Sequence, residues 1–163
     1  MVWASRQMVR SIVAAIAALL LLWPGSAIAA DYNRRVMEGA DFSHQDLRDS
    51  SFTKAGLREA KFVGSNLQGV SFFAANLESA DLTGADLRNS TLDSARISDA
   101  NLTNANLEGA FAFSVKFERT VVTGADFTDV QMREDSRVLL CKTASGVNPV
   151  TKRSTRETLF CDE

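Results

Sequence analysis

One histidine and two cysteines among 163 residues leave little material for metal or nucleophilic chemistry. His44 has neither a second histidine nor a cysteine beside it to share an ion, so it reads as a solvated surface residue rather than a ligand or catalyst. No glycine-rich phosphate loop is present; Gly39, Gly64, Gly69, Gly84, Gly109 and Gly124 fall on a regular spacing instead. The formal net charge of −2 is too mild to imply a nucleic-acid partner. The longest apolar run, "SIVAAIAALLLLW" from Ser11 to Trp23, falls short of the roughly 20 residues a membrane span needs.

That run has another use. Arg6 and Arg10 precede it, Pro24-Gly25 breaks it, and Ala27-Ile28-Ala29 places small residues at the −3 and −1 positions of a signal peptidase site. Residues 1–29 are therefore predicted to be a secretory signal peptide, with no stable membrane anchor after cleavage; the alternative is an uncleaved anchor helix. No twin-arginine pair precedes the apolar run, which favours the general secretory route. Loss of Arg6 and Arg10 leaves 16 basic and 20 acidic residues, a net charge of −4. Cys141 and Cys161, an even count in an exported chain, predict one disulfide rather than two free thiols. Closing a loop of about 20 residues would stabilise the fold by on the order of 3 kcal/mol.

The dominant feature is a beat of five. Stepping by five from Phe42, the centre positions are Phe42, Leu47, Phe52, Leu57, Phe62, Leu67, Phe72, Leu77, Leu82, Leu87, Leu92, Ile97, Leu102, Leu107, Ala112, Phe117, Val122, Phe127 and Met132. The residue two before each centre is mostly Ala or Ser, and from Ala80 to Val130 always Ala, Ser, Val or Thr. Five fits neither a strand's period of two nor a helix's 3.6, and it excludes a heptad coiled coil. A flat sheet would send alternate leucines to opposite faces. A square coil resolves the conflict. If five residues make one side and one corner, four sides return the chain one strand spacing along, about 4.8 Å, and residues twenty apart stack. Centres then point inward, the small residues fit beside them in a narrow bore, and the other positions face water. Nearly five coils make a rod on the order of 23 Å long. The abundance of Ser, Thr and Asp follows from this beat, so neither a nucleophilic triad nor an acid/base pair among Asp41, Asp81, Asp86 and Asp126 can be argued from it.

The units "ADLTG", "ADLRN", "ANLTN" and "ANLEG" resemble those of the pentapeptide-repeat family over residues 38–134. The resemblance implies an all-β fold, a right-handed quadrilateral parallel β-helix, with Asp or Asn before each centre facing water or bonding locally to backbone. Residues 30–37 are expected to form an N-terminal cap segment, a short turn or helix. Residues 135–163 lose the beat and are expected to form a C-terminal cap, docked through Val138-Leu139-Leu140 and Leu159-Phe160. "STRE" at Ser154–Glu157 fits a capping box.

Two departures from the beat are candidate functional features. At Phe111-Ala112-Phe113 the centre shrinks and both outward neighbours become Phe, and Phe73 occupies the matching outward slot two coils earlier. Together they predict an exposed aromatic patch for a protein partner, unless the tail or the N-terminal segment covers them. Charge also divides, with net −6 over residues 38–134 and net +1 over 135–163.

Some family members act as DNA mimics on gyrase, a reading that the export signal and interrupting bases such as Arg48, Lys54, Arg58 and Lys61 disfavour here. The exported lumenal and periplasmic members of cyanobacteria and chloroplasts match better, because they share an export signal and a Cys-containing extension like "LLCKTASGVNPVTKRSTRETLFC". That resemblance implies a non-catalytic scaffold in the thylakoid lumen or periplasm, without cofactor, linked to photosynthetic assembly or to redox control through Cys141 and Cys161. The partner expected is a protein of unknown identity. A solenoid end offers in addition a homodimer surface.

Overall fold

The computed structural model describes residues 29–161, so the predicted signal peptide lies, but for Ala29, outside the described residues. From Asp31 onward each five-residue unit makes one bridging position and one turn, and parallel bridges join residues twenty apart: Asp41 to Lys61, Asp46 to Asn66, Ser51 to Ser71, Gly56 to Asn76. Four such bridges per twenty residues define a coil of four sides. Side one carries the Phe42 column, side two Leu47, side three Phe52 and side four Leu57.

Each corner is built the same way. The carbonyl of a centre residue accepts the N–H three residues on, as Leu82 does from Ala85 at 3.0 Å. The second residue after the centre is left-handed, φ between 54° and 61° at the non-glycine positions from Arg34 to Asp129 other than Ser114. The Asp or Asn before the centre accepts the N–H of the residue after it, as Asp81 does from Thr83 at 3.0 Å and Asn101 from Thr103 at 3.0 Å. This is the local side-chain turn that suits Asp and Asn, and it explains their recurrence without any catalytic role.

The bore is dry and filled. Every centre from Phe42 to Phe127 is buried, and Phe52, Leu57, Phe62, Leu67, Phe72, Leu77, Leu87, Ile97, Leu102 and Leu107 have no exposed surface. In the early coils rings form a ladder. Phe42 stacks on Phe62 with centroids 5.0 Å apart, Phe52 stacks on Phe72 at 5.2 Å, and Phe52 meets Phe62 edge to face at 5.7 Å across the bore. Both arrangements are favourable for aromatic quadrupoles. Hydroxyls in the small-residue columns bond to backbone within their own coil or the next, except that of Ser90, which has no partner among the described residues. Ser65 donates to the Phe62 carbonyl at 2.7 Å, and Thr120 to that of Ile97 at 2.9 Å.

The first coil begins earlier than the sequence indicates. Residues 30–37 are neither helix nor cap turn: Asp31 bridges Ser51, Val36 bridges Gly56, and Tyr32 stacks on Phe52 with centroids 4.6 Å apart. Tyr32 and Met37 are thus centres in phase with Phe42. Their polar neighbours Asn33, Arg34, Arg35 and Glu38 hide them in the sequence.

The beat ends at Met132. Two short strands, β1 (Phe111–Ala112) and β2 (Gln131–Met132), pair in parallel, and helix α1 (Glu134–Cys141) follows. A loop leads to the single-turn helix α2 (Thr155–Thr158). Ser154 does sit at its N-cap, but its side chain makes no capping bond, which corrects the capping-box reading.

Candidate functional site

Side three carries no charge at its bridging positions above Asp31. Its bridging column runs Ser51, Ser71, Thr91, Phe111 and Gln131. Hydroxyls link its lower part: Thr53 lies 3.2 Å from the Ser51 oxygen and 3.0 Å from that of Ser71. Higher up, Phe73, Phe111 and Phe113 are 42%, 39% and 47% exposed, so neither the tail nor residues 29–37 cover them. Here the corner geometry also changes. Ser114 is the one second-after-centre residue between Arg34 and Asp129 without a positive φ, and the Phe113 N–H turns to the Asp93 carboxylate at 2.8 Å. The irregular sequence therefore coincides with an irregular backbone, carrying two aromatic rings outward on either side of the buried Ala112.

His44 stands on a left-handed corner of side one, exposed, with its ring under Gly64. Among the described residues no group of three or more His, Cys, Asp or Glu could hold a metal ion, and no helix is long and apolar enough to cross a membrane.

The tail is the second feature. Cys141, at the end of α1, is disulfide-bonded to Cys161, just beyond α2, with Cα atoms 5.5 Å apart. Leu140 and Leu159 are buried as anchors, whereas Val138, Leu139 and Phe160, also read as docking groups, stay exposed along open grooves they line with Val115, Phe117 and Phe127 of the rod. Between the cysteines the loop folds back over the corner between sides one and two. Asn148, fully buried, donates from Nδ2 to the carbonyls of Gly124 at 2.9 Å, Asn104 at 3.2 Å and Ala105 at 3.3 Å. Its Oδ1 accepts the N–H groups of Val150 and Thr151, at 2.9 and 3.1 Å. The tail also satisfies upward-facing donors of the last coil: Gly124 N–H bonds Ser145 O at 2.7 Å, and Phe127 N–H bonds Thr158 Oγ1 at 3.1 Å.

Arg153 fastens the loop by charge. It pairs with Glu108 and brings Nε within 2.8 Å of Asp126 Oδ2, an ion pair outside hydrogen-bond alignment. Asp126, unlike Asp41 and Asp81, is sealed from water by this loop, so the outward-facing reading fails for it alone. Burial pushes its carboxyl up. Hydrogen bonds from Thr128 and Thr151 and the charge of Arg153 outweigh that and hold it below the usual carboxylate value. Sequence reasoning missed Asn148, Arg153 and Glu108. Asn148-Pro149 is a turn-favouring pair, but such a pair does not say what the turn rests on.

The family model for pentapeptide repeats matches residues 37–72 and 71–109, in eight copies. A crystal structure of a pentapeptide repeat protein from the Arabidopsis thaliana thylakoid lumen is 47% identical, covering 81% of this chain and 92% of that one, with a TM-score of 0.79. A pentapeptide repeat protein of Nostoc is 30% identical over 64% of this chain and 86% of that one, TM-score 0.54. The Arabidopsis thylakoid lumenal 15 kDa protein 1 is 58% identical over 36 residues, 22% of this chain, which spans only 16% of that protein. With a relative this similar matched over nearly its whole length, and the five-residue register continuous from Tyr32 to Met132, the chain belongs to the pentapeptide-repeat family.

Proposed function

We propose that this chain is an exported, non-catalytic right-handed β-helical scaffold that binds a protein partner in the thylakoid lumen or the periplasm, in a role tied to photosynthetic assembly. The reading rests on one observation above the rest: Phe73, Phe111 and Phe113 stand exposed on one face of the rod. Aromatic rings held on rigid backbone lose little entropy on binding and anchor interfaces well. Localisation is supported by the lumenal relatives and by the leader-like residues 1–29. The test is capture of partners from the lumen or periplasm of the producing organism by the exported protein and by Phe113→Ser. Loss of a specific partner with Phe113→Ser, the variant remaining folded, supports the scaffold; identical capture by both proteins overturns the aromatic face as the site.

A second reading, a redox-responsive tail, is favoured by the Cys141–Cys161 bond at the rod's end. A dithiol reductant would convert it to two thiols while becoming a disulfide itself. Reduction that leaves partner capture and tail protection unchanged counts against it.

A further inference from the structure

The two ends of the rod are built differently. At the C-terminal end the tail takes up last-coil donors of Gly124 and Phe127 and buries Leu140 and Leu159. At the other end nothing in the described residues plays that part. Within the rod, the N–H before each centre donates to the coil below, as Ser51 does to Ala30 at 2.9 Å and Lys61 to Ala40 at 2.9 Å. In the first coil the equivalent donors, Asp31, Val36, Asp41 and Asp46, have no acceptor among the described residues. Among the described residues nothing covers the bore there, with Tyr32 and Met37 half-buried and Val36 79% exposed. An end of this kind is an unpaired parallel edge ringing an open apolar core, which proteins normally pair or block.

We infer that the N-terminal end is an interface for a second copy of this chain, joined head to head about a two-fold axis. The capped C-terminal end cannot receive a first coil, so head-to-tail stacking is closed off and the isologous arrangement remains. Its charge pattern is self-complementary. A two-fold through the middles of sides two and four reverses the chain direction of one copy, so facing sides run antiparallel. On side two Asp46 and Arg48 flank the centre Leu47 and already pair at 2.7 Å; reversal sets each Asp46 opposite the other copy's Arg48. Sides one and three are exchanged, which lays the acidic Asp41 rim against the Asn33–Arg34 rim. Side four meets itself, so the two Met37 centres come together at the two-fold and each Val36 lies opposite the other copy's Glu38. The free edge N–H groups then face carbonyls of an antiparallel edge.

The protein purified from the exported fraction of its producing cell, analysed by light scattering during size exclusion, should have twice the monomer mass at micromolar concentration. Val36→Glu and Arg48→Glu should each weaken the dimer at least about tenfold, because each brings like charges together at the two-fold. The exchange Asp46→Arg with Arg48→Asp restores the alternation and should restore the dimer. Val138→Glu, at the opposite end, should leave it intact. Circular dichroism and unchanged melting of the monomeric forms separate lost pairing from lost folding. A monomer throughout the micromolar range overturns the inference. So does a dimer that survives Val36→Glu and Arg48→Glu, or one dispersed by Val138→Glu.

Discussion

The Asn148 side-chain nitrogen lies 2.9 Å from the carbonyl oxygen of Gly124, and through that contact a tail without any repeat is pinned to the repeat. One amide serves five backbone groups, three as donor and two as acceptor, in a site with no exposed surface. Asn148→Ala should cost about 2–3 kcal/mol, because buried backbone groups lose their partner without gaining water. Asn148→Asp should cost more, since a carboxylate set among three carbonyls cannot donate. Denaturant melts give the cost, and amide hydrogen exchange over residues 142–160 should rise in both variants.

Asp126 makes stability depend on acid. Its carboxyl is held below the ordinary 3.8 in the folded state, so its contribution is fully present above that value. The contribution is lost as pH falls through the lower folded value, where protonation breaks the pairing with Arg153. Asp126→Asn should be less stable at neutral pH by on the order of 2 kcal/mol, with a shallower loss below pH 3.8 than the parent chain shows. Thermal melts at neutral pH and across the acid range measure both effects.

Reduction of Cys141–Cys161 should lower stability by on the order of 3 kcal/mol, the chain entropy released by opening a loop of about 20 residues. The tail should nonetheless remain docked in mild conditions, because Asn148 and Arg153 bind the rod independently of the sulfurs. Proteolysis of the reduced protein should first cut near α2, whose backbone is tied to α1 by the bond and by Arg156 and Arg137 contacts to Cys141 and Leu159 carbonyls. Cutting first around Asn148 instead would show that the disulfide alone holds the loop.

The ring ladder makes early coils sensitive to truncation. Phe52→Ala removes a ring that touches Tyr32, Phe42, Phe62 and Phe72, and should cost about 3–5 kcal/mol through the cavity left in a bore that cannot collapse. Tyr32→Leu, at the open end, should cost less than half as much in the monomer. Chemical denaturation of the two variants tests the contrast.

Gly146 crosses Gly124 at φ +82°, where an added Cβ would lie 3.0 Å from the Gly124 nitrogen. Gly146→Ala is therefore both strained and too close to immovable backbone, and should loosen the same loop as Asn148→Ala. Hydrogen exchange at Gly124 reports it directly.

The sequence by itself determined the rod. Large residues at every fifth position, small ones two before them and Asp or Asn one before leave no helix or flat sheet that satisfies all three columns. Each coil needs only its neighbours, so a local period specifies the whole length. Phe111-Ala112-Phe113 was legible for the same reason, as a break in a regular pattern. Only the tertiary structure decided that Tyr32 and Met37 belong to the first coil, that Asp126 rather than Asp81 is sealed, and that Asn148 and Arg153 hold the tail. Those contacts join residues 20 to 45 positions apart through backbone carbonyls and a loop without a period. A backbone carbonyl carries no side-chain signature, so nothing in the sequence marks where Asn148 will find its acceptors.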